Sequence, residues 1–189
     1  MRPCRGRHGL TLPRMDHRDH VDLIRDGVVG AGTAWADLGS GDGAFTRALA
    51  DLLGPAGTIH SIDRDAHALE RQARKMHESF PAVALVSVVA DFTRPLELPP
   101  LDGIVMANSL HFQRDPVPVL RLVHGHLRDG GRLVLVEYDT DLGNHWVPFP
   151  ISYRAWTSVA ARAGFRDTRR LASVPSRFLG SIYSAVSFR

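Results

Sequence analysis

The sequence is short of cysteine, of lysine and of long apolar runs. Its 189 residues include one cysteine, Cys4, and one lysine, Lys75, among 23 basic residues. A single cysteine excludes an internal disulfide framework and a cysteine-based zinc site, so we expect an intracellular, cytoplasmic protein. No apolar run reaches the roughly 20 residues that cross a bilayer, and the sequence predicts no membrane-spanning segment.

Metal-binding patterns are lacking as well. The histidine pairs His17/His20 and His124/His126 have no supporting acids or cysteines at the spacing of a ligand set. We therefore predict solvent-facing histidines and no metal site.

The remaining composition is that of an ordinary globular domain, with 44% hydrophobic and 23% charged residues. At this length we predict a single domain over residues 15–189. Residues 1–14 carry four arginines, no acid and no apolar periodicity. We expect them to form a basic tail without function, either disordered or encoded ahead of the true start.

Charge is unevenly distributed along the chain. Residues 15–141 carry a net charge of −7, whereas residues 142–189 hold seven arginines against one acid, Asp167, for a net charge of +6. Such a basic segment is either a docking face for an anionic partner or a set of solvated side chains. We favour solvated side chains and expect no nucleic-acid partner.

Strand-like and helix-like segments alternate from residue 34 onwards. Five nearly continuous apolar runs predict strands buried on both faces: Ala34–Leu38, Thr58–Ile62, Val83–Val89, Gly103–Ala107 and Arg132–Glu137. Helices are predicted from Met15 and over Ala44–Leu53, Ala66–Phe80, Pro116–Leu127 and Ile151–Ala163. We expect Asp129–Gly131 to be the turn before the fifth strand. The alternation predicts a doubly wound α/β sheet with helices on both faces.

The chain ends differently, with strand candidates Arg166–Val174 and Phe178–Phe188 separated by a short turn. Consecutive strands joined in this way form an antiparallel hairpin. We therefore predict seven strands, five parallel and two in a C-terminal antiparallel hairpin.

A glycine-rich turn follows the first strand, in the stretch DLGSGDG. Gly39, Gly41 and Gly43 permit close approach of the backbone to a ligand. A phosphate-binding loop requires a lysine that this turn lacks. Asp37, at the end of the strand, is ill suited to pyrophosphate and suits a ligand that bears an ammonium group.

Acids also follow the second and third strands. Asp63 is placed to accept the hydroxyl groups of a ribose. Asp91 and Phe92 offer an acceptor for an exocyclic amine and an aromatic face for a purine. The structural alternatives are that Asp63 and Asp91 cap helices, and that Phe92 belongs to the core.

Together these residues resemble the class I S-adenosylmethionine-dependent methyltransferases, whose fold is Rossmann-like. The resemblance implies S-adenosyl-L-methionine as cofactor, with its methionine part on the glycine turn, its ribose at Asp63 and its adenine between Asp91 and Phe92. The cofactor-binding residues that we expect are Asp37, Gly39, Ser40, Gly41, Gly43, Asp63, Arg64, Asp91, Phe92 and Asn108.

Methyl transfer is a direct displacement, so catalysis rests mainly on positioning, and a base is needed only for a protonated nucleophile. His111, after the fourth strand, is a candidate base or positioning group. Glu137 and Tyr138, at the end of the fifth strand, are further catalytic candidates. The alternatives are that His111 caps the next helix and that Glu137 and Tyr138 have purely structural roles.

The sequence lacks two motifs of nucleic-acid methyltransferases, and their absence narrows the class of methyl acceptor. The segment ANSLHF lacks the Asn/Asp-Pro-Pro-aromatic signature of amino-methylating nucleic-acid enzymes, and one lysine cannot supply a Lys-Asp-Lys-Glu tetrad. We predict a small-molecule acceptor, with O-, N- and C-methylation and the oligomeric state left open. The candidate substrate-binding residues are His145, Trp146, Phe149 and Tyr153. The alternatives are an RNA or protein methyltransferase that docks through the basic segment, and a non-catalytic cofactor-binding protein.

Overall fold

The computed structural model describes residues 15–189, and the predicted basic tail over residues 1–14 lies outside the described residues. The helices are α1 (His17–Val28), α2 (Ala44–Leu53), α3 (Ala66–Ser79), α4 (Val117–His126) and α5 (Tyr153–Arg162). The strands are β1 (Ala34–Leu38), β2 (Thr58–Asp63), β3 (Ala84–Val89), β4 (Leu101–Ala107), β5 (Leu127–Tyr138), β6 (Arg166–Pro175) and β7 (Ser181–Phe188). Short 3₁₀ turns lie at Gly54–Ala56 and Leu110–Phe112.

All seven strands form one sheet in the order β3-β2-β1-β4-β5-β7-β6. Strands β1 to β5 are parallel, and β7 pairs antiparallel with both β5 and β6. The predicted doubly wound sheet with a C-terminal antiparallel hairpin is therefore confirmed.

Two hydrophobic clusters cover the opposite faces of the sheet. Helices α1 and α2 and Met76 of α3 pack on one face with Trp35 and Val134, while α4 and α5 pack on the other with Ala36 and Leu133. Successive residues of a strand point to opposite faces, which is why neighbours such as Leu133 and Val134 belong to different clusters. Burial on both sides explains the continuous apolar runs of the central strands.

Short polar side chains begin three of the helices. Asp16 caps α1, Asp65 accepts the amides of His67 and Ala68 at the start of α3, and Ser152 caps α5. The cap of α3 is thus Asp65, and Asp63 is left to face the adjacent turn. Helix α2 begins at Gly43 without any side-chain cap.

Two predictions about connections are wrong. Residues 129–131 lie inside β5 as a bulge, where the pairing with β4 shifts register between Leu101 and Gly103. Gly130 adopts φ +74°, which lets the extra residues bulge without ending the strand. Phe178 lies in the connection before β7, because Gly180 at φ +66° closes the hairpin with a hydrogen bond from the Ser176 amide.

The carboxyl ends of the five parallel strands meet at one edge of the sheet, and we call it the carboxyl edge. Strand order reverses between β1 and β4, which opens a crevice at that edge where α/β proteins bind ligands. The β6–β7 connection reaches the same edge, because Ile182 at the start of β7 pairs with Tyr138 at the end of β5. Within residues 15–189, no helix combines the length and the apolar character needed to cross a bilayer.

Candidate active site

The glycine turn between β1 and α2 is held by backbone hydrogen bonds to the neighbouring strand. The amides of Gly39 and Ser40 both donate to the carbonyl of Ile62, at 2.8 and 3.1 Å. The amide of Gly41 donates to Asp63 Oδ2 at 2.8 Å. Asp63 therefore fixes the turn while its side chain also lines a cleft.

At Gly39 and Gly43 the turn leaves no room for a side chain, and the positive φ angle also favours glycine. A Cβ atom on Gly39, at φ +77°, would lie 2.5 Å from Ser109 Cβ. A Cβ atom on Gly43, at φ +80°, would lie 2.4 Å from the side chain of Gln72. A side chain at either position would push the turn away from its neighbours.

A chain of buried hydrogen bonds runs beneath the turn, and we call it the buried relay. Thr46 Oγ1 lies 2.6 Å from Asp37 Oδ2 and 2.5 Å from Gln72 Nε2. Ser61 Oγ lies 2.6 Å from Gln72 Oε1 and 2.7 Å from Ser40 Oγ. The relay thus joins the acid at the end of β1, helices α2 and α3, strand β2 and the glycine turn.

Proton counting gives the buried relay a direction. The carbonyl oxygen of Gln72 only accepts, so Ser61 donates to it and receives its own hydrogen bond from Ser40. At the other end, Gln72 donates to Thr46, and Thr46 donates to the carboxylate of Asp37. Thr46, Ser61 and Gln72 were not predicted as site residues, because a polar residue in an amphipathic segment carries no signal of burial.

Asp37 is 1% exposed and is turned towards Thr46 rather than into the cleft. Burial raises the pKa of Asp37 to about 7, against the opposing effect of the Thr46 hydrogen bond. The acid expected to meet an ammonium group thus lies below the turn and does not line the cleft.

The cleft lies at the carboxyl edge and extends from the end of β3, past the ends of β2 and β1, to the end of β4. Among the predicted cofactor-binding residues, the cleft is lined by Gly39, Asp63, Arg64, Asp91, Phe92 and Asn108. It is also lined by five residues that were not predicted to bind the cofactor: Ala90, Thr93, Ser109, Phe112 and Gln113. The residues that do not line it are Asp37, Ser40, Gly41 and Gly43, which belong to the turn and its support.

Asp91 caps a turn instead of a helix. Its Oδ1 accepts hydrogen bonds from the amide and the hydroxyl of Thr93, at 2.9 and 2.7 Å. These bonds hold the pKa of Asp91 below its usual value, so the carboxylate at the exposed side of the cleft is ionised at neutral pH.

Asn108 has an unusual backbone and an unpaired side-chain oxygen. Its φ of +52° is in the left-handed region, which non-glycine residues rarely adopt. Its Oδ1 is buried and has no hydrogen-bond partner among residues 15–189. The next residue, Ser109, donates to the carbonyl of Leu38 at 2.8 Å and ties this loop to the end of β1.

His111 and Glu137 form a buried pair beside the cleft. Nδ1 of His111 lies 2.8 and 3.0 Å from the two carboxylate oxygens of Glu137, and the side chains are 4% and 0% exposed. A carboxylate at Nδ1 selects the tautomer that carries its proton there. Nε2, which forms no hydrogen bond within the described residues, is then available as a base.

Aromatic rings surround this pair. The His111 ring centroid lies 4.4 Å from that of Phe112 and 6.1 Å from that of Tyr138, and Tyr138 lies 6.2 Å from Phe178. Burial raises the pKa of Tyr138, so its phenol stays protonated at neutral pH.

The predicted substrate-binding residues are not gathered in one place. Tyr153 packs under the guanidinium group of Arg170 and edge-on to Tyr183, which indicates a structural contact. His145 and Trp146 are exposed and pack against each other. The amide of Phe149 donates to the carbonyl of His111 at 3.0 Å, which brings that segment next to the buried pair.

Four of the seven arginines of the basic segment, Arg166, Arg169, Arg170 and Arg189, make side-chain contacts within the fold. Arg170 pairs with Asp139 at 2.8 Å, and Arg166 donates to the carbonyl of Arg189. Arg169 lies over the ring of Phe188. For metals, residues 15–189 contain no group of three potential ligands.

Comparison with protein families decides the class of the chain. A family model described as "Methyltransferase domain" matches residues 36–133, which contain the glycine turn, the cleft and the buried relay. The chain belongs to the methyltransferase domain family. The match confirms the predicted methyltransferase class and, with it, S-adenosyl-L-methionine as the methyl donor.

One curated relative of this methyltransferase is an uncharacterized 37.1 kDa protein in transposon TN4556 of Streptomyces fradiae. The two are 36% identical over 110 residues, which are 58% of this chain and 31% of the relative. The methyltransferase chain therefore spans about a third of the length of that relative.

Solved methyltransferase structures share the fold. The S-adenosylmethionine-dependent methyltransferase SibL has a TM-score of 0.66 at 20% identity, over 83% of this chain and 50% of its own. Magnesium protoporphyrin IX methyltransferase of Synechocystis, solved with bound cofactor, has a TM-score of 0.68 at 15% identity, over 92% and 79%. A Leishmania major methyltransferase has a TM-score of 0.73 at 19% identity, over 92% and 72%. At such identities the similarity establishes the fold alone.

Proposed function

We propose that the protein transfers a methyl group from S-adenosylmethionine to a small-molecule acceptor whose attacking oxygen starts as a hydroxyl group. The observation that carries the proposal is the buried pair of His111 and Glu137. A base is useful only when the nucleophile must lose a proton, and a hydroxyl group near neutral pH is such a nucleophile.

The residues of the cleft fit the methyl donor. Asn108 Oδ1 is a buried acceptor in need of a donor, and Asp63 and Asp91 offer carboxylate oxygens. The donor carries hydroxyl groups on its ribose and an exocyclic amine on its adenine. We assign the ribose to Asp63 and the adenine to Asp91 and Phe92.

The glycine turn suits the methionine part. Gly39 permits close approach of the backbone, while Ser40, Gly41 and Gly43 keep the shape of the turn. Asp37, beneath the turn, favours a positively charged group through electrostatic attraction in a region of low dielectric constant. Arg64 borders the cleft on the side of Asp91.

When bound, the donor supplies a methyl group that is already activated on a sulfonium sulfur. His111 would take the hydroxyl proton of the acceptor at Nε2, so that the acceptor oxygen could receive the methyl group that the donor would supply. Glu137 orients the imidazole ring and stabilises the positive charge that the ring gains. Tyr138 flanks the ring and keeps water away from the reacting atoms.

The alternatives have less support. An RNA or protein acceptor that docks on the basic segment would find fewer free arginines than the sequence suggests, because Arg166, Arg169 and Arg170 are engaged within the fold. The buried pair of His111 and Glu137 favours a catalytic protein, because a histidine oriented by a carboxylate is the arrangement of a general base.

The test compares His111→Gln and Glu137→Gln with the control His124→Gln, on the distant helix α4. Release of S-adenosylhomocysteine is measured with a panel of phenols, alcohols and carboxylic acids, and cofactor affinity is measured by calorimetry. We expect both site variants to lose about a hundredfold or more in kcat, with cofactor affinity unchanged and the control fully active. Full turnover by the His111 variant contradicts the proposal, and tight cofactor binding without turnover of any panel member favours the non-catalytic alternative.

A further inference from the structure

The large exposed aromatic side chains of residues 15–189 all lie near the carboxyl edge of the sheet. Their exposed fractions are 55% for Phe112, 69% for Trp146, 40% for Phe149 and 51% for Phe178. Phe112 follows β4, Trp146 and Phe149 follow β5, and Phe178 lies in the connection between β6 and β7. An apolar patch of this kind on a folded domain marks a binding surface.

The carboxyl edge is divided between two chemistries. The ends of β2 and β3 carry Asp63 and Asp91, which line the cleft assigned to the methyl donor. The ends of β4 and β5 and the hairpin carry rings instead. We call the series Phe112, His111, Tyr138 and Phe178 the aromatic row; its neighbouring centroids are 4.4, 6.1 and 6.2 Å apart.

The cleft and the aromatic row are continuous with each other. Phe112 lines the cleft and also packs against His111, so one side chain borders both. A molecule lying on the row is therefore next to the donor and to the nitrogen that we assign as the base. This continuity favours the acceptor as the occupant of the row over a separate partner.

Acids near the aromatic row are already engaged. Asp139 pairs with Arg170 and accepts the amide of Tyr153, and Asp141 accepts the amide of Ser152. Glu137 is fully buried against His111. The hairpin connection over residues 176–180 contains no acid. Of these acids only Asp141 is exposed, so a cationic acceptor would find a single accessible carboxylate on these segments.

We propose that the aromatic row binds a flat aromatic acceptor with a ring hydroxyl group, by stacking on Phe112 and Phe178 with the hydroxyl directed at His111. The direction of the hydroxyl group towards His111 rests on the proposed function. The binding of an aromatic ring to the row does not depend on it. The rings of the row already contact one another, so the acceptor packs on the exposed faces of Phe112 and Phe178, at the centroid distances of about 4.5 to 7 Å that aromatic pairs prefer.

The probe is 2-naphthol, compared with its saturated counterpart decahydro-2-naphthol, which has the same carbon skeleton without a π face. Binding is measured by saturation-transfer NMR and calorimetry in the presence of S-adenosylhomocysteine, so that no methyl transfer takes place. We expect 2-naphthol to bind and the saturated alcohol to bind more weakly. Phe112→Leu and Phe178→Leu retain apolar volume and lose the ring, and each should weaken naphthol binding by about threefold to tenfold.

Val86→Ala is the matched control, because Val86 is an exposed apolar residue on the far edge strand β3. It should leave naphthol binding unchanged. Equal affinity for the two probes, or unchanged binding in both phenylalanine variants, overturns the inference. A concentration-dependent dimer that Phe178→Leu abolishes, with no naphthol binding, assigns the row to a second copy of the chain and also overturns it.

The two proposals fail in different ways. Naphthol that binds with the expected dependence on Phe112 and Phe178, yet is not methylated when S-adenosylmethionine is added, supports the surface and contradicts the proposed function. Methyl transfer to a saturated alcohol by a protein that does not bind naphthol contradicts the surface and supports the function.

Discussion

Thr46 donates a hydrogen bond of 2.6 Å to the buried carboxylate of Asp37, and its own oxygen accepts one from Gln72. A hydroxyl group has one proton to donate. Because the Thr46 oxygen accepts a hydrogen bond from Gln72, the Thr46 proton is donated to Asp37. Protonation of Asp37 on its other carboxyl oxygen leaves Oδ2 as the acceptor of the Thr46 hydroxyl group. The direction of the buried relay is therefore the same in both protonation states of Asp37.

Asp37 should make the free energy of unfolding depend on pH. Its pKa is raised from 3.8 to about 7 in the folded protein, so the folded state binds the proton more tightly than the unfolded state. The resulting stabilisation is complete below pH 4 and is lost as the pH rises through 7, a change on the order of 4 kcal/mol. Urea unfolding at several pH values between 4 and 8 measures it.

Other groups titrate over the same range, so the quantity to compare is the difference between wild type and Asp37→Asn. That difference should change between pH 4 and pH 7 and stay constant above. Glu97→Gln, at an exposed acid, is the control for the removal of one carboxylate. A difference between wild type and Asp37→Asn that is flat across the range would show that Asp37 titrates normally.

The contact between Gly43 and Gln72 can be separated from backbone strain. Gly43 and Gly130 have similar φ values, +80° and +74°, but a Cβ atom at Gly130 meets no atom within 4 Å. Gly43→Ala should therefore destabilise the fold by about 1 to 3 kcal/mol more than Gly130→Ala, owing to the clash with Gln72. Thermal and urea unfolding give the two values, and equal losses would mean that Gln72 moves aside freely.

Asp63 and Asp65 are close in sequence and should differ in function. Asp65→Ala removes the cap of α3 and should cost about 1 kcal/mol of stability while cofactor affinity is kept. Asp63→Ala removes a lining residue of the cleft and the partner of the Gly41 amide, so it should weaken binding of S-adenosylhomocysteine severely in calorimetric titration. Undiminished binding by the Asp63 variant would remove this residue from the cofactor site.

Features that depend on local sequence were predictable. The glycines of the turn and the acids Asp63 and Asp91 directly follow apolar strands, so their position at the ends of those strands can be predicted from the sequence. The alternation of strand and helix patterns likewise predicted the doubly wound sheet with its C-terminal hairpin. The buried relay was not predictable, because Thr46 and Gln72 meet only when α2 and α3 pack together. His111 and Glu137 were separate candidates for the same reason: they are 26 residues apart and become a pair only through the pairing of β4 with β5.

Asn108 combines a strained backbone with an unpaired oxygen, and two substitutions distinguish these properties. Asn108→Gly removes Oδ1 but tolerates the positive φ, so we expect weaker cofactor binding with little loss of stability. Asn108→Ala removes the same oxygen and adds a left-handed penalty of about 1 kcal/mol or more. Calorimetry with S-adenosylhomocysteine should give similarly weakened binding for both variants, and unfolding should separate them. If the glycine variant binds as tightly as wild type, Asn108 serves the loop conformation alone and the unpaired oxygen has no part in holding the donor.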